Sequence, residues 1–226
     1  MRIGTWNLEG KWTDAHERFL LAGDCAVWLL TEVTTTVVMS GYQSQMTGSL
    51  MLPGKCWSAV FSRDPLTPLD DPHFASAMAQ VNGITFCSSI LPWRSAVEPL
   101  WPGASQGERT QRAVNSLLAQ LPATGLVWGG DWNHALVGAE TTGCAPGQQA
   151  ILAAVDALGL VVPTKGLRGR REGQLSIDHI AVAAASTVAS VERFEASERL
   201  SDHDAYIVEL ADQRDRELTA QVRTGG

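Results

Sequence analysis

Short apolar runs alternate with amphipathic stretches along the chain, and turn-forming residues separate them. Residues 3–8 read as an opening strand. Residues 14–22 space their apolar positions like a short helix, and 25–31 is a brief apolar run bounded by Gly23 and Asp24, the pattern of a buried strand. The chain therefore begins β-α-β. Strands are predicted over 58–62 and 84–91. The stretch between them carries Pro65, Pro68 and Pro72, which a central strand does not accommodate, so a loop is expected there. Over 108–121, Ala113, Leu117, Leu118 and Leu121 recur at helical spacing. Pro122 and Gly125 stop that helix before a strand at 126–128 that runs into Gly129-Gly130-Asp131. A helix over 148–158 closed by Gly159, and strands over 176–183 and 205–210, complete the series. No repeat, low-complexity tract or long linker divides the chain, so one α/β (α+β) layered domain over residues 1–210 is expected, followed by a frayed polar tail over 211–226. Periodicity leaves the strand order open.

Composition narrows the class. Of 226 residues, 45% are hydrophobic, enough for a sizeable core, and 18% are charged, below the roughly one-quarter usual in soluble domains, so global disorder is excluded. No apolar run approaches the roughly 20 residues of a membrane span, and the first residues lack the features of a signal peptide. A soluble, cytoplasmic protein is expected. Cys25, Cys56, Cys87 and Cys144 are widely spaced with no CxxC pair, which reads as reduced, mostly structural thiols. A net charge of -7 argues against the broad basic footprint of non-specific duplex binding and leaves room for a local cationic cleft.

The candidate chemistry lies where strands end. Glu9, Glu32, Asp131, Asp178 and Asp202 each fall at or near the edge of a short apolar segment, from which side chains can converge on one cleft. Any one of them alone reads as a cap, a turn former or a solvated rim residue. Together, Asn7 with Glu9, Asp131 with Asn133, and Asp178-His179 with Asp202-His203 form an oxygen-rich set suited to Mg²⁺ or Mn²⁺. The one-residue spacing would put Asn7 and Glu9, and likewise Asp131 and Asn133, on one face of an extended strand, with Leu8 and Trp132 turned to the core.

Five strings in chain order resemble the motifs of the endonuclease/exonuclease/phosphatase superfamily, which includes exonuclease III-like and DNase I-like metal-dependent phosphoesterases. They are Thr5-Trp6-Asn7-Leu8-Glu9-Gly10, Leu30-Thr31-Glu32, Gly130-Asp131-Trp132-Asn133, Ser176-Ile177-Asp178-His179-Ile180 and Leu200-Ser201-Asp202-His203. Each is short, but five in order from residue 3 to about residue 210 are specific. The resemblance implies a DNase I-like four-layer sandwich, two mixed β-sheets flanked by helices, with the cleft at one edge. It also implies that Asn7, Glu9, Glu32 and Asp202 surround Mg²⁺ or Mn²⁺, that Asp131 orients or deprotonates the attacking water, and that Asn133 donates to a phosphate oxygen. Asp178 and His203 would form a carboxylate-imidazole pair facing the phosphate. By themselves those two also fit a buried structural pair.

The chain departs from the family pattern in one place. Many relatives carry a histidine or tyrosine before a Leu-Pro or Val-Pro dipeptide, whereas Ser88-Ser89-Ile90-Leu91-Pro92-Trp93 puts Ile90 there, which neither donates a hydrogen bond nor carries charge. Arg94 or Ser89 would have to compensate, and Arg94 fits a solvated loop residue equally well. Lys165, Arg168, Arg170 and Arg171 lie in a glycine-containing loop ahead of the Asp178 motif, either a phosphate-binding patch or a solvated loop. Arg109 and Arg112 read as surface residues. Among eight tryptophans, Trp6, Trp28, Trp128 and Trp132 read as core, while Trp12, Trp57, Trp93 and Trp101 lie nearer loops, where one or two could stack on a base or an apolar group.

Three functions fit these residues. A metal-dependent phosphodiesterase cleaving DNA or RNA draws on the five motifs and the basic loop. A phosphatase or phosphodiesterase for a small phosphorylated metabolite or lipid headgroup is favoured by the acidic balance. A non-catalytic binding module rests on Ile90 alone.

Overall fold

The apolar runs pair into two mixed sheets in the computed structural model, which describes residues 1–138, 142–197 and 199–211. Of the predicted polar tail, all but Ala211 lies outside the described residues. In chain order the elements are β1 (Arg2–Asn7), α1 (Asp14–Ala22), β2 (Val27–Thr34), β3 (Gln43–Met46), β4 (Leu50–Leu52), β5 (Lys55–Ser62), β6 (Leu66–His73), β7 (Ser76–Val81) and β8 (Ile84–Ser89). There follow α2 (Gln106–Leu118), β9 (Leu126–Asp131), α3 (Ala145–Ala157), β10 (Leu160–Val161), a 3-10 turn (Pro163–Gly166), β11 (Asp178–Ala183), β12 (Val188–Phe194) and β13 (Ala205–Leu210).

One sheet runs β12-β13-β1-β2-β5-β3 with β4 also on β5, and the other runs β10-β11-β9-β8-β7-β6. The pairs β1–β2 and β8–β9 are parallel. Central strands are apolar on both faces because both faces are covered. In β2, Val27 and Leu29 enter the cluster between the sheets while Trp28 and Leu30 enter the one beneath α1. In β9, Val127 faces the other sheet, and Leu126 and Trp128 pack with Val114 and Leu117 of α2 and Ile151 of α3. The result is the four-layer, DNase I-like sandwich that the motifs imply.

Several expectations change. Residues 66–73, expected as loop because of their prolines, form β6. Among the described residues this strand is at the sheet edge, pairs only with β7, and is irregular between Leu69 and His73, a setting that tolerates the missing N–H groups of Pro68 and Pro72. β3, β4 and β10 escape the periodicity because they are short, β7 because it is built mostly of small and polar residues, and β12 because it carries Ser190, Glu192 and Arg193. α2 starts earlier than expected, at Gln106, where the Ser105 hydroxyl caps it by accepting from the Glu108 N–H. Trp57 and Trp101, expected near loops, are core residues at 2% exposure. All four cysteines are free, and three are buried. No helix among the described residues is long and apolar enough to cross a membrane.

A close approach fixes the register of β1 on β2. Gly4 is opposite Trp28, and a methyl at Gly4 would overlap the indole ring. Gly4→Ala is expected to destabilise the fold by about 1–3 kcal/mol through overpacking, measured by urea denaturation.

Candidate active site

Interior strands of both sheets deliver polar side chains to one edge of the sandwich. Asn7 ends β1, and Glu32 lies near the end of the parallel β2. Asp131 ends β9 and is directly opposite Asp178, the first residue of the antiparallel β11. The turn carrying Asp202 and His203 leads into β13 beside β1. It is fastened there by the Ser201 hydroxyl donating to the Asn7 carbonyl at 2.7 Å and the Trp6 indole donating to the His203 carbonyl at 3.0 Å.

Asn7 joins the two sheets. Its Nδ2 donates to Glu32 Oε1 at 3.1 Å within its own sheet and to Asp131 Oδ2 at 3.0 Å across the sandwich. Asn7 and Glu9, and likewise Asp131 and Asn133, do not share a strand face, because both strands stop at the first member. Asn7 Oδ1 accepts from the Glu9 N–H at 2.8 Å, and Asp131 Oδ1 from the Asn133 N–H at 3.0 Å. These side-chain turns swing Glu9 (φ 53°) and Asn133 (φ 54°) into the left-handed region, and Glu32 (φ 51°) shares it. Asn133 then spends one amide hydrogen on the Leu91 carbonyl at 3.0 Å.

Asp178 Oδ2 and His203 Nδ1 lie 2.7 Å apart. Burial alone would strip the proton from His203. The charge of Asp178, its hydrogen bond, and the charges of Asp131 and Asp202 outweigh burial and push the imidazole up to about 10. His203 is thus an imidazolium at neutral pH, with Nδ1 donating to Asp178 and Nε2 at 3.8 Å from the exposed Asp202. Asp131 is raised well above the ordinary carboxylate range by burial and by the Asp178 charge. Asp178 is raised by burial, against the pull of His203, and its Oδ1 is buried with no partner among the described residues. Carboxylate oxygens of Asp131 and Asp178 and a ring nitrogen of His203 all lie within 4.8 Å of one another. His179, by contrast, turns into the core. Its Nε2 donates to the His134 carbonyl at 2.9 Å, and burial lowers its pKa to about 4.

The proposed metal ligands form two neighbouring groups. Glu32 accepts from Asn7 and, through Oε2, from Lys55 Nζ at 3.2 Å. Glu9 Oε2 accepts from the Asp202 N–H at 3.1 Å and from Lys11 Nζ at 2.7 Å. These donors fit a hard divalent cation: they are carboxylate oxygens, and each of Glu9 and Glu32 already holds a cationic group. Sequence reading missed both lysines. Lys11 was within reach of it, two residues past Glu9, whereas Lys55 meets Glu32 only through strand pairing.

The remaining residues divide. A cavity of about 180 Å³ adjoins Asp178, Asp202 and His203 and is walled by Arg170, Arg171, Gln174, Leu175 and Tyr206. Arg168 and Lys165 are exposed outside its lining. Arg170 is committed to the protein: it donates to Asp204 Oδ1 at 2.9 Å and to the Ala196 carbonyl at 2.8 Å. Asp204, only 2% exposed, also pairs with Arg193 at 2.6 Å, so it fastens the cavity wall next to His203. Ile90 is buried in the core, and the Ser89 hydroxyl is taken by the Trp128 indole at 3.0 Å. Arg94 is exposed, beyond Pro92.

Two measurements check this electrostatic arrangement. A ¹⁵N NMR titration should find His203 protonated up to about pH 10. In Asp178→Asn its pKa should fall toward the ordinary value of about 6.5. Asp204→Ala removes the buried carboxylate shared by two partly buried guanidinium groups, leaving Arg193 only the exposed Glu195, and is expected to cost about 3 kcal/mol in urea unfolding.

No family model and no curated protein matches the sequence. Solved structures do match in fold. A 3' phosphatase from Neisseria, NExo, bound to product DNA hairpin, aligns over 94% of this chain and 100% of its own at 20% identity, with a TM-score of 0.72. The AP endonuclease LMAP from Leishmania major aligns over 93% of this chain and 87% of its own at 16% identity, TM-score 0.64. An endonuclease/exonuclease/phosphatase family protein from Leptotrichia buccalis covers 94% of this chain and 100% of its own at 15% identity, TM-score 0.64. The chain thus shares the fold of these solved endonuclease/exonuclease/phosphatase structures, and the five strings that resemble the motifs end at one edge of its sandwich.

Proposed function

We propose that the protein is a divalent-metal-dependent phosphoesterase that hydrolyses phosphodiester bonds, acting as a nuclease on DNA or RNA. The observation that carries this reading is the Asn7 amide, which ties Glu32 to Asp131 while the Asp178–His203 pair faces Asp131. Glu32, with Asn7, Glu9 and Asp202, would hold Mg²⁺ or Mn²⁺, a Lewis acid that neutralises charge on the phosphate oxygens.

The chain's own residues supply the rest. Asp131 takes the proton of the attacking water, and its raised pKa makes it a more effective base near neutral pH than an ordinary carboxylate. His203, kept protonated by Asp178, donates from Nε2 to a phosphate oxygen as negative charge grows there. Asn133 has a second amide hydrogen for the same purpose. Ile90 contributes nothing to the leaving oxygen; Arg171, in the wall of the cavity beside His203, or Arg94, four residues past Ile90, would serve it. Lys165 and Arg168 add charge to the approach, while Arg170 acts by holding the loop.

The DNA in the Neisseria structure supports nucleic acid as the substrate class. Four free thiols support a reducing, cytoplasmic setting. A second reading, a small phosphorylated metabolite or headgroup, is favoured by the net charge of -7 and by the pairing of Arg170 with Asp204, which reduces the free positive charge.

The test is cleavage of single- and double-stranded DNA, RNA and small phosphoesters with Mg²⁺, Mn²⁺ or EDTA. Cleavage should need the metal, and Asp131→Asn should lower kcat by about 10²–10⁴-fold without loss of fold. Nucleic-acid cleavage should fall steeply with added salt, whereas turnover of a small ester should not. Activity that persists in EDTA, or undiminished in Asp131→Asn, contradicts the proposal.

A further inference from the structure

Lys55 opens β5 opposite Thr34, a register that sets it diagonal to Glu32 on the adjacent strand. Its ammonium lies 3.2 Å from Glu32 Oε2, and the two side chains are only 20% and 24% exposed. The backbone leaves room for this placement. Gly10 (φ 66°) lies under the lysine, and a methyl there would collide with Lys55 Cε and Nζ. The Gly10 N–H in turn donates to the Glu32 carbonyl at 2.9 Å, so the cradle and the carboxylate belong to one assembly. With Asn7 on Oε1 and Lys55 on Oε2, both carboxylate oxygens of Glu32 have a donor, and its charge is neutralised from within the chain.

We propose that Lys55 is a built-in counter-cation that occupies Glu32 and competes with the divalent ion for it. The inference rests on the reading of Glu32 as a metal ligand. An ammonium and a dication on the same carboxylate oxygen repel each other strongly, so an ion that takes Glu32 Oε2 must displace the lysine. Lysine suits this role: it is a compact charge on a flexible stem, whereas arginine grips a carboxylate with a rigid fork. Competition keeps the site loaded only at high concentrations of free ion. Lys11 on Glu9 is a weaker version of the same device, since both of its partners are about 40% exposed, at 41% and 39%.

The test is calorimetric titration of Mn²⁺ into the substrate-free full chain. Lys55→Gln and Lys55→Met should bind Mn²⁺ about tenfold more tightly than the native protein, the effect expected when a half-buried ion pair no longer competes. Lys55→Arg, which keeps the charge, should bind no more tightly than the native protein, and Glu32→Gln should bind weakly or not at all. Thermal melts without metal identify any variant that fails to fold, and the Gln and Met versions back each other. If the neutral variants bind no more tightly while Glu32→Gln loses binding, the counter-cation role is overturned and the metal site stands. If Glu32→Gln binds as the native protein does, Glu32 is not a ligand and both readings fall.

Discussion

One side-chain amide holds together two carboxylates that would otherwise repel each other. Asn7 Nδ2 donates to Glu32 in one sheet and to Asp131 in the other, at the edge where both sheets end. A buried carboxylate without donors is costly, and two facing each other across a sandwich would push the sheets apart. The Asn7 bridge makes the approach possible, and the cross-sheet core of Ile3, Leu29, Val127 and Ile180 holds it in place. Asp131 therefore feels the field of Asp178, and that pair is balanced by the imidazolium of His203.

The edge also carries strain. Glu9, Glu32 and Asn133 adopt left-handed backbone conformations, at a cost of about 1–3 kcal/mol each. Asn7 and Asp131 oppose that strain directly, since each accepts from the backbone N–H two residues on. The same two side chains thus shape the turns and hold the polar network. A truncation at either position should therefore disturb local backbone and chemistry together, whereas Asp131→Asn keeps the side-chain volume and one acceptor oxygen, enough for the turn or the Asn7 bond, and so is the more informative change.

Much of this was legible in the sequence, for identifiable reasons. The apolar runs at 25–31 and 126–128 marked central strands, and the acids just past such runs marked the edge where β1, β2 and β9 end. Residues whose role depends on long-range pairing were not legible. Lys55 meets Glu32 only through the β2–β5 register, and Asp204 captures Arg170 and Arg193 from two separate segments. Prolines misled over 66–73 because a sheet edge tolerates them and the sequence does not say which strand is the edge. Strand alternation misled for Glu9 and Asn133 because it does not reveal that both strands stop at an Asx turn.

The central claim is a division of labour across the Asn7 bridge, with the divalent ion on the Glu32 side and proton transfer on the Asp131 side. Anomalous diffraction from crystals soaked in Mn²⁺ tests it most directly. The account predicts a manganese peak against the Glu32 carboxylate, within reach of Asn7, Glu9 and Asp202. A peak held instead by Asp131, Asp178 and His203, with none at Glu32, would contradict it.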